Sequence, residues 1–299
     1  MPTTYHPPHP LAHALPLFLL AGVCLTALDT TAKYLVRDHS LFLLVWARYA
    51  GQMLVVTPFA RHRAGPSFYR TRNLRMQLLR SAFLLAATCC FFAGLRYLPL
   101  AEGSAITFLA PIVIVVLSRP ILDERPTRAR WAAAIMGFAG ILVLLRPGSA
   151  VLHPAVLLLI GAAICNAMYQ LLTRRVPGDS AYTTLFYSAL VGAAGCTLLL
   201  PWGFDGAPLS WVDIGLLLAM GLLAGLGHWL LISAFMVAPA SLLTPFTYLQ
   251  MVWATLFGYL VFHQLPDRWS ALGMAIVVAS GVFLALAERR RALLARSFP

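Results

Sequence analysis

The sequence predicts an all-α integral membrane protein of ten transmembrane helices, built as two inverted five-helix repeats around a central cavity. Three observations predict it. The chain is 60% hydrophobic and 11% charged, with a mean hydropathy of +0.80, whereas a soluble domain is about 25% charged. Ten windows of roughly 20 apolar residues, the length that crosses a bilayer core, lie at 14–36, 41–60, 80–98, 101–122, 131–147, 154–173, 181–201, 211–237, 241–262 and 269–288. Sequence features of the first half also recur in order in the second at an offset near 140. At 299 residues the chain has no room for a large soluble domain.

The first span holds the only lysine of the chain, Lys33, with Asp29 four positions before it. Ionisable groups in hydrocarbon are costly and face a partner or a water-filled cavity. Helical spacing puts Thr26, Asp29, Thr30, Lys33 and Arg37 on one stripe. Asp29 and Lys33 are an acid-first i,i+4 pair, the favourable order. Two readings stand. The pair neutralises itself and locks helix packing, or it lines the cavity and binds a charged solute or a proton. Arg48 on the second span either joins them or snorkels to an interface.

In the fourth span, Glu102 near the start suits the helix N-terminus. Pro111, with Thr107 one turn and Ser104 two turns earlier, predicts a kink that frees a carbonyl. The sixth span carries Asn166, Tyr169, Gln170 and Thr173 at helical spacing, a polar stripe for the cavity wall or for interhelical hydrogen bonds. The eighth span has Gly221 and Gly225 at the spacing that permits close helix approach. His228 follows, a side chain that changes charge near neutral pH, or a hydrogen-bonded core histidine. The ninth span presents Ser241, Thr244, Tyr248, Met251 and Thr255 on one face, with Gln250 beside it. Tyr248 and Trp253 could stack on an apolar or aromatic solute. Trp202 and Trp211 flank the seventh connection as interface anchors.

Basic residues set the orientation. Sixteen arginines fall in the even-numbered connections and the C-terminal tail, Arg80 among them, and four in the odd-numbered ones. Both termini are therefore expected in the cytoplasm, in a bacterial inner membrane. The net charge of +12 follows from the same bias. No basic face repeats along a helix, so nucleic acid is not an expected partner. The five cysteines fall inside apolar windows and read as small core residues, with no disulfide or zinc spacing. Residues Met1 to Pro10 lack the charged start of a signal peptide and read as a disordered tail.

The repeat rests on ordered matches. Pro99 matches Pro239, Thr107-Phe108-Leu109 matches Thr247-Tyr248-Leu249, and Leu122 to Pro126 matches Phe262 to Pro266. Gly140 and Gly281 follow after one inserted residue. The units are 1–148 and 149–299, five spans each. An odd number of spans inverts the second copy, the plan of secondary transporters that bind solute near the midplane. The first span of the second unit has no charge pair, so the cavity is expected to be charged on one wall and neutral but polar on the other.

The stretch from Leu28 to Leu35 (LDTTAKYL), Val45 to Tyr49 (VWARY), Ala93 to Ala105 (AGLRYLPLAEGSA), Phe108 to Pro111 (FLAP) and Leu122 to Pro126 (LDERP) resembles the EamA-type members of the drug/metabolite transporter superfamily. The resemblance covers nearly the whole chain. It implies ten helices in two inverted repeats with a central cavity. The family includes amino-acid and drug exporters, the YddG-type amino-acid exporters sharing this size and plan, and importers of riboflavin, S-adenosylmethionine and sugars. The chain departs from the pattern at His263-Gln264, where an acidic residue is usual.

The leading expectation is a secondary transporter that exports amino acids or related metabolites by alternating access. The opposite charges of Asp29 and Lys33 suit a zwitterion. Import of riboflavin, S-adenosylmethionine or a similar metabolite is the alternative. A lipid-linked precursor flippase and an intramembrane enzyme are rivals of other classes. The chain has no His-Glu-x-x-His, no Gly-x-Ser-x-Gly, no intramembrane aspartate pair and no nucleotide-binding glycine loop. No catalytic residue, metal or cofactor is expected. The candidate solute-binding residues are Asp29, Lys33, Arg48, Asn166, Tyr169, His228, Tyr248 and Gln250. The expected partners are a small-molecule solute, membrane lipid and protons as a coupling ion, and a monomer suffices.

Overall fold

The computed structural model describes residues 10–123, 126–146, 153–176, 178–203, 206–238 and 243–297. Residues 1–9 of the expected tail, Glu124, Pro147, Gly148, Pro177, Pro239 and Ser241 lie outside the described residues, while Pro10 begins the first helix. Within them the chain is helical, with no strand. Backbone groups in lipid must be satisfied within their own segment, which leaves the helix as the solution for apolar runs of this length. The helices are α1 (Pro10–Leu35), α2 (Leu41–Ala64), α3 (Leu74–Leu95), α4 (Leu100–Thr107), α5 (Ala110–Leu122), α6 (Arg128–Leu145), α7 (Val156–Thr173), α8 (Ala181–Gly203) and α9 (Trp211–Val237). A 3-10 turn, Thr244–Tyr248, leads into α10 (Leu249–Phe262), and α11 (Arg268–Ser297) ends the described chain.

Among the described residues, nine of the ten expected spans are long and apolar enough to cross a membrane by length and composition, with α4 and α5 together forming one of 23 residues. The ninth expected span is the shorter apolar helix Phe246–Phe262. The α4/α5 span breaks at Phe108 and Leu109, where Thr107 Oγ1 donates to the Ser104 carbonyl at 2.6 Å and Pro111 sits in the first turn of α5. This is the interruption that Pro111 predicts.

Local chemistry closes the ends. Thr127 caps α6, accepting from the Arg130 N–H at 3.2 Å. Ser210 and Asp213 form a capping box at the start of α9. Asp123, Arg146 and His263 take left-handed φ values of 56°, 46° and 54° at three helix C-termini. Asp123 and His263 are partners at the offset of 140.

The helices pack in pairs from opposite halves of the chain. α1 lies on α9 and α10, α2 on α8 and α9, α3 on α7 and α8, and α6 on α11. Glycine makes two of these approaches possible. Gly51 and Gly221 meet backbone to backbone, and a Cβ on either would overlap the other. One turn on, a Cβ at Gly225 would meet the Val55 side chain at 2.5 Å. The steady register means that α2 and α9 run parallel. Gly140 of α6 and Gly273 of α11 approach in the same way. Trp202 and Trp211, at the two ends of the connection between α8 and α9, are 84% and 89% exposed.

One boundary differs from expectation in a way that matters. The third span starts at Leu74, six residues before its expected start, and carries Arg80 inside the bundle at 0% exposure. Arg80 was expected in a connection because a charge usually ends an apolar window. Here two of its guanidinium nitrogens are hydrogen-bonded internally, while Nη2 is buried without a partner among the described residues. Nε donates to Thr173 Oγ1 at 2.9 Å, and Nη1 to Gln77 Oε1 at 2.8 Å and the Thr184 carbonyl at 3.0 Å. The guanidinium carbon sits 4.6 Å from the Tyr169 ring centroid. Gln77 and Thr71 donate to Asp179 at 2.8 and 2.5 Å, so this cluster ties α3 and its preceding connection to α7 and α8.

Candidate solute site

Lys33 and Asp29 form no ion pair. Lys33 is 2% exposed, and its ammonium donates to the carbonyls of Leu95 at 3.0 Å and Leu98 at 2.5 Å, at the C-terminal end of α3. It also lies 5.3 Å from the Phe262 ring centroid. A cation is favoured against the unsatisfied carbonyls of a helix C-terminus, so α3 takes the charge that the sequence assigns to Asp29. The self-neutralised pair is thus replaced by a lock between α1 and α3.

Asp29 is left facing the interior. Its carboxylate makes no hydrogen bond and no ion pair among the described residues. The cation whose field acts on it is Arg48 of α2, which acts on His228 of α9 as well. Arg48 does not snorkel. Its guanidinium carbon lies 4.9 Å from the Tyr49 ring centroid and 5.7 Å from that of Phe92. It donates to Thr88 Oγ1 of α3, and its Nε is buried without a protein partner. Tyr49 is held by Thr88 Oγ1 at 2.8 Å and the Leu84 carbonyl at 3.3 Å, with its ring filling the space over Gly192.

The polar stripe of α7 splits. Asn166 is half-buried and has no hydrogen bond among the described residues. Tyr169 and Thr173 belong to the Arg80 cluster, and Gln170 is exposed. On α9, His228 Nδ1 lies 2.8 Å from the Ala224 carbonyl. A carbonyl only accepts, so Nδ1 carries the proton and Nε2 is left as an acceptor in the neutral ring.

Tyr248 is not an open stacking face. Its ring is stacked on Phe108 at 5.1 Å and 23°, and it fits over Gly281, where any Cβ would overlap it. Gln250 is half-buried with no hydrogen bond among the described residues. Glu102, in the first turn of α4, accepts from Ser270 of α11 at 2.8 Å. The structure therefore places both Asp29 and His228 within electrostatic reach of Arg48. It assigns Lys33, Tyr169 and Tyr248 to contacts within the protein. The described residues hold no cluster of histidine, cysteine and acidic groups that could ligate a metal. Sequence reasoning passed over Gln52, although it stands one turn after Arg48 in the middle of a span, where a polar residue is itself a signal.

Comparison with known proteins agrees with this architecture. The EamA-like transporter family model matches residues 13–146 and again 153–286. The chain belongs to the EamA-like transporter family. It is 28% identical over 275 residues to the S-adenosylmethionine uptake transporter of Rickettsia prowazekii, covering 91% of this chain and 92% of that protein. It is 29% identical over 289 residues to the riboflavin transporter of Vibrio cholerae, covering 95% and 96%. A solved crystal structure shares the fold with a TM-score of 0.67 at 22% identity, covering 93% of this chain and 98% of that one.

Proposed function

We propose that the protein is a secondary transporter that takes up a charged, ring-bearing metabolite across the bacterial inner membrane, both termini being cytoplasmic. The observation that carries this reading is Asp29, a carboxylate in the interior of a membrane span with no bonded partner among the described residues and with Arg48 in electrostatic reach. An intramembrane ionisable group of this kind marks a solute or ion pathway.

The name of the Rickettsia relative supports uptake, and neither it nor the name of the Vibrio relative speaks of amino-acid export. Between the two named substrates, the charges favour S-adenosylmethionine. Its amino-acid end is a zwitterion, its sulfonium is a cation and its adenine is a flat ring. An uncharged flavin would bring no counter-charge to either Asp29 or Arg48.

Alternating access between inverted repeats has support of its own. The family model matches each half once. Phe108 and Tyr248, partners at the offset of 140, stack on one another, and Asp123 and His263 share a left-handed backbone. Repeat mates that touch are what a two-fold axis in the membrane plane produces. An apolar groove of about 400 Å³ opens between α10 and α11, lined by Met251, Thr255, Tyr259 and Met274. A flippase would want such a lateral opening, but this one offers no charged group for a headgroup.

Proteoliposomes test the reading. Labelled S-adenosylmethionine should accumulate chemically unchanged and show counterflow. Conversion of the label to a product, or counterflow of amino acids alone, would overturn it. An imposed proton gradient should raise the rate if Asp29 or His228 carries a coupling proton.

A further inference from the structure

Gln52 stands halfway along α2 and is 1% exposed. Neither its amide nitrogen nor its amide oxygen has a hydrogen-bond partner among the described residues. A primary amide offers two donors and an acceptor, and burying them bare costs the desolvation of each. A leucine would sit at this place in a membrane span with no such cost. The contrast with Gln77, the other fully buried glutamine, is direct. Gln77 donates to Asp179 and Thr184 and accepts from Arg80. One glutamine is spent on the fold and the other is not.

Helix geometry fixes where Gln52 faces. Gly51 and Val55 turn toward Gly221 and Gly225 of α9. Tyr49 turns toward Thr88 of α3 and Gly192 of α8. Arg48 and Gln52, one turn apart on one face, fall between those two contact lines and look into the interior. That interior receives Asp29 from α1 and His228 from α9. Thr26 Oγ1 of α1 and Trp229 Nε1 of α9 are further buried polar atoms without a protein partner.

We propose that Gln52 is a specificity-determining residue of the solute site, hydrogen-bonding edge-on to a fused heteroaromatic ring that carries an adjacent donor and acceptor. The side-chain amide is the complement of such an edge, as in its bidentate pairing with N7 and N6 of adenine. A flavin pyrimidinedione edge has the same chemistry. Arg48 and Asp29, one turn along and across, are placed for the charged part of the same solute. This inference rests on the uptake reading above and adds the residue that reads the ring.

The test uses purified full-length protein in lipid nanodiscs, with affinity read from thermal stabilisation. The probes are adenosine, purine riboside (which lacks the exocyclic amine), riboflavin and an aliphatic amino acid. Wild type should prefer adenosine or riboflavin, and an adenine-reading site should hold adenosine roughly 10–100-fold tighter than purine riboside. Gln52→Leu and the closer isostere Gln52→Met should bring the preferred ring down to the affinity of purine riboside. Their stability without ligand should be unchanged or raised, because a bare amide has left the apolar interior. Ring probes that bind the wild type and both variants equally would overturn the role of Gln52 and leave the uptake reading standing. Stabilisation by the amino acid alone would overturn both. A loss of ligand-free stability in both variants would show Gln52 to be structural and would also overturn the proposal.

Discussion

Lys33→Met removes the ammonium that joins α1 to the end of α3 and leaves a side chain of similar length. The Leu95 and Leu98 carbonyls then lose the donors at 3.0 and 2.5 Å. An unsatisfied buried carbonyl costs about 1–3 kcal/mol. Part of that is returned, because the variant no longer buries an ammonium. Two such carbonyls cost roughly 2–6 kcal/mol, and the returned desolvation of the ammonium brings the net loss to roughly 1–4 kcal/mol. The assay pairs the melting temperature of the purified variant in nanodiscs with solute flux per folded molecule in proteoliposomes. The variant should melt earlier and keep its solute affinity. An unchanged melting temperature with abolished binding would refute the reasoning and return Lys33 to the solute site.

Other outcomes follow from the same geometry. Gly51→Val places side-chain atoms on the Gly221 backbone, and a backbone cannot rotate aside as a side chain can, so the variant should lose about 1–3 kcal/mol or more by forcing α2 from α9. An unchanged melting temperature would mean that the two helices do not cross there. Asp267 lies just outside the last span, where the Ser270 N–H and then Arg146 hold its carboxyl down from 3.8 to about 2. A folded value below the unfolded one adds stability above pH 3.8 that is lost as the pH falls through about 2. The stability advantage of wild type over Asp267→Asn should therefore shrink across that window, and a constant gap would contradict it.

The sequence made the helices legible because hydropathy and length decide membrane spans almost alone. The α4/α5 break was legible from Pro111, and the close approach of α9 from Gly221 and Gly225. The partner of that approach, Gly51, was not, since contacts between segments so far apart in the chain leave no local pattern. Charge pairing was legible only as possibility. Spacing allowed Asp29 to meet Lys33, but the carbonyls at the end of α3, some 60 residues on, compete for the same ammonium and win. Arg80 was misplaced for a related reason. Its partners, Gln77, Thr173 and Thr184, come from three helices, and a hydropathy window sees a lone charge. Tyr248 was read as a free aromatic surface because nothing local marks its stack on Phe108.

The central claim is that Asp29, released from Lys33, serves the solute. Uptake of labelled S-adenosylmethionine by proteoliposomes bearing wild type or Asp29→Asn measures it most directly, with the melting temperature of each protein as the control for folding. Wild-type uptake should be robust, flux should fall at least tenfold in Asp29→Asn by the loss of a charge-assisted contact, and the melting temperature should change little, because Asp29 has no bonded partner among the described residues. Equal uptake by the two proteins, or unfolding of the variant, would contradict it.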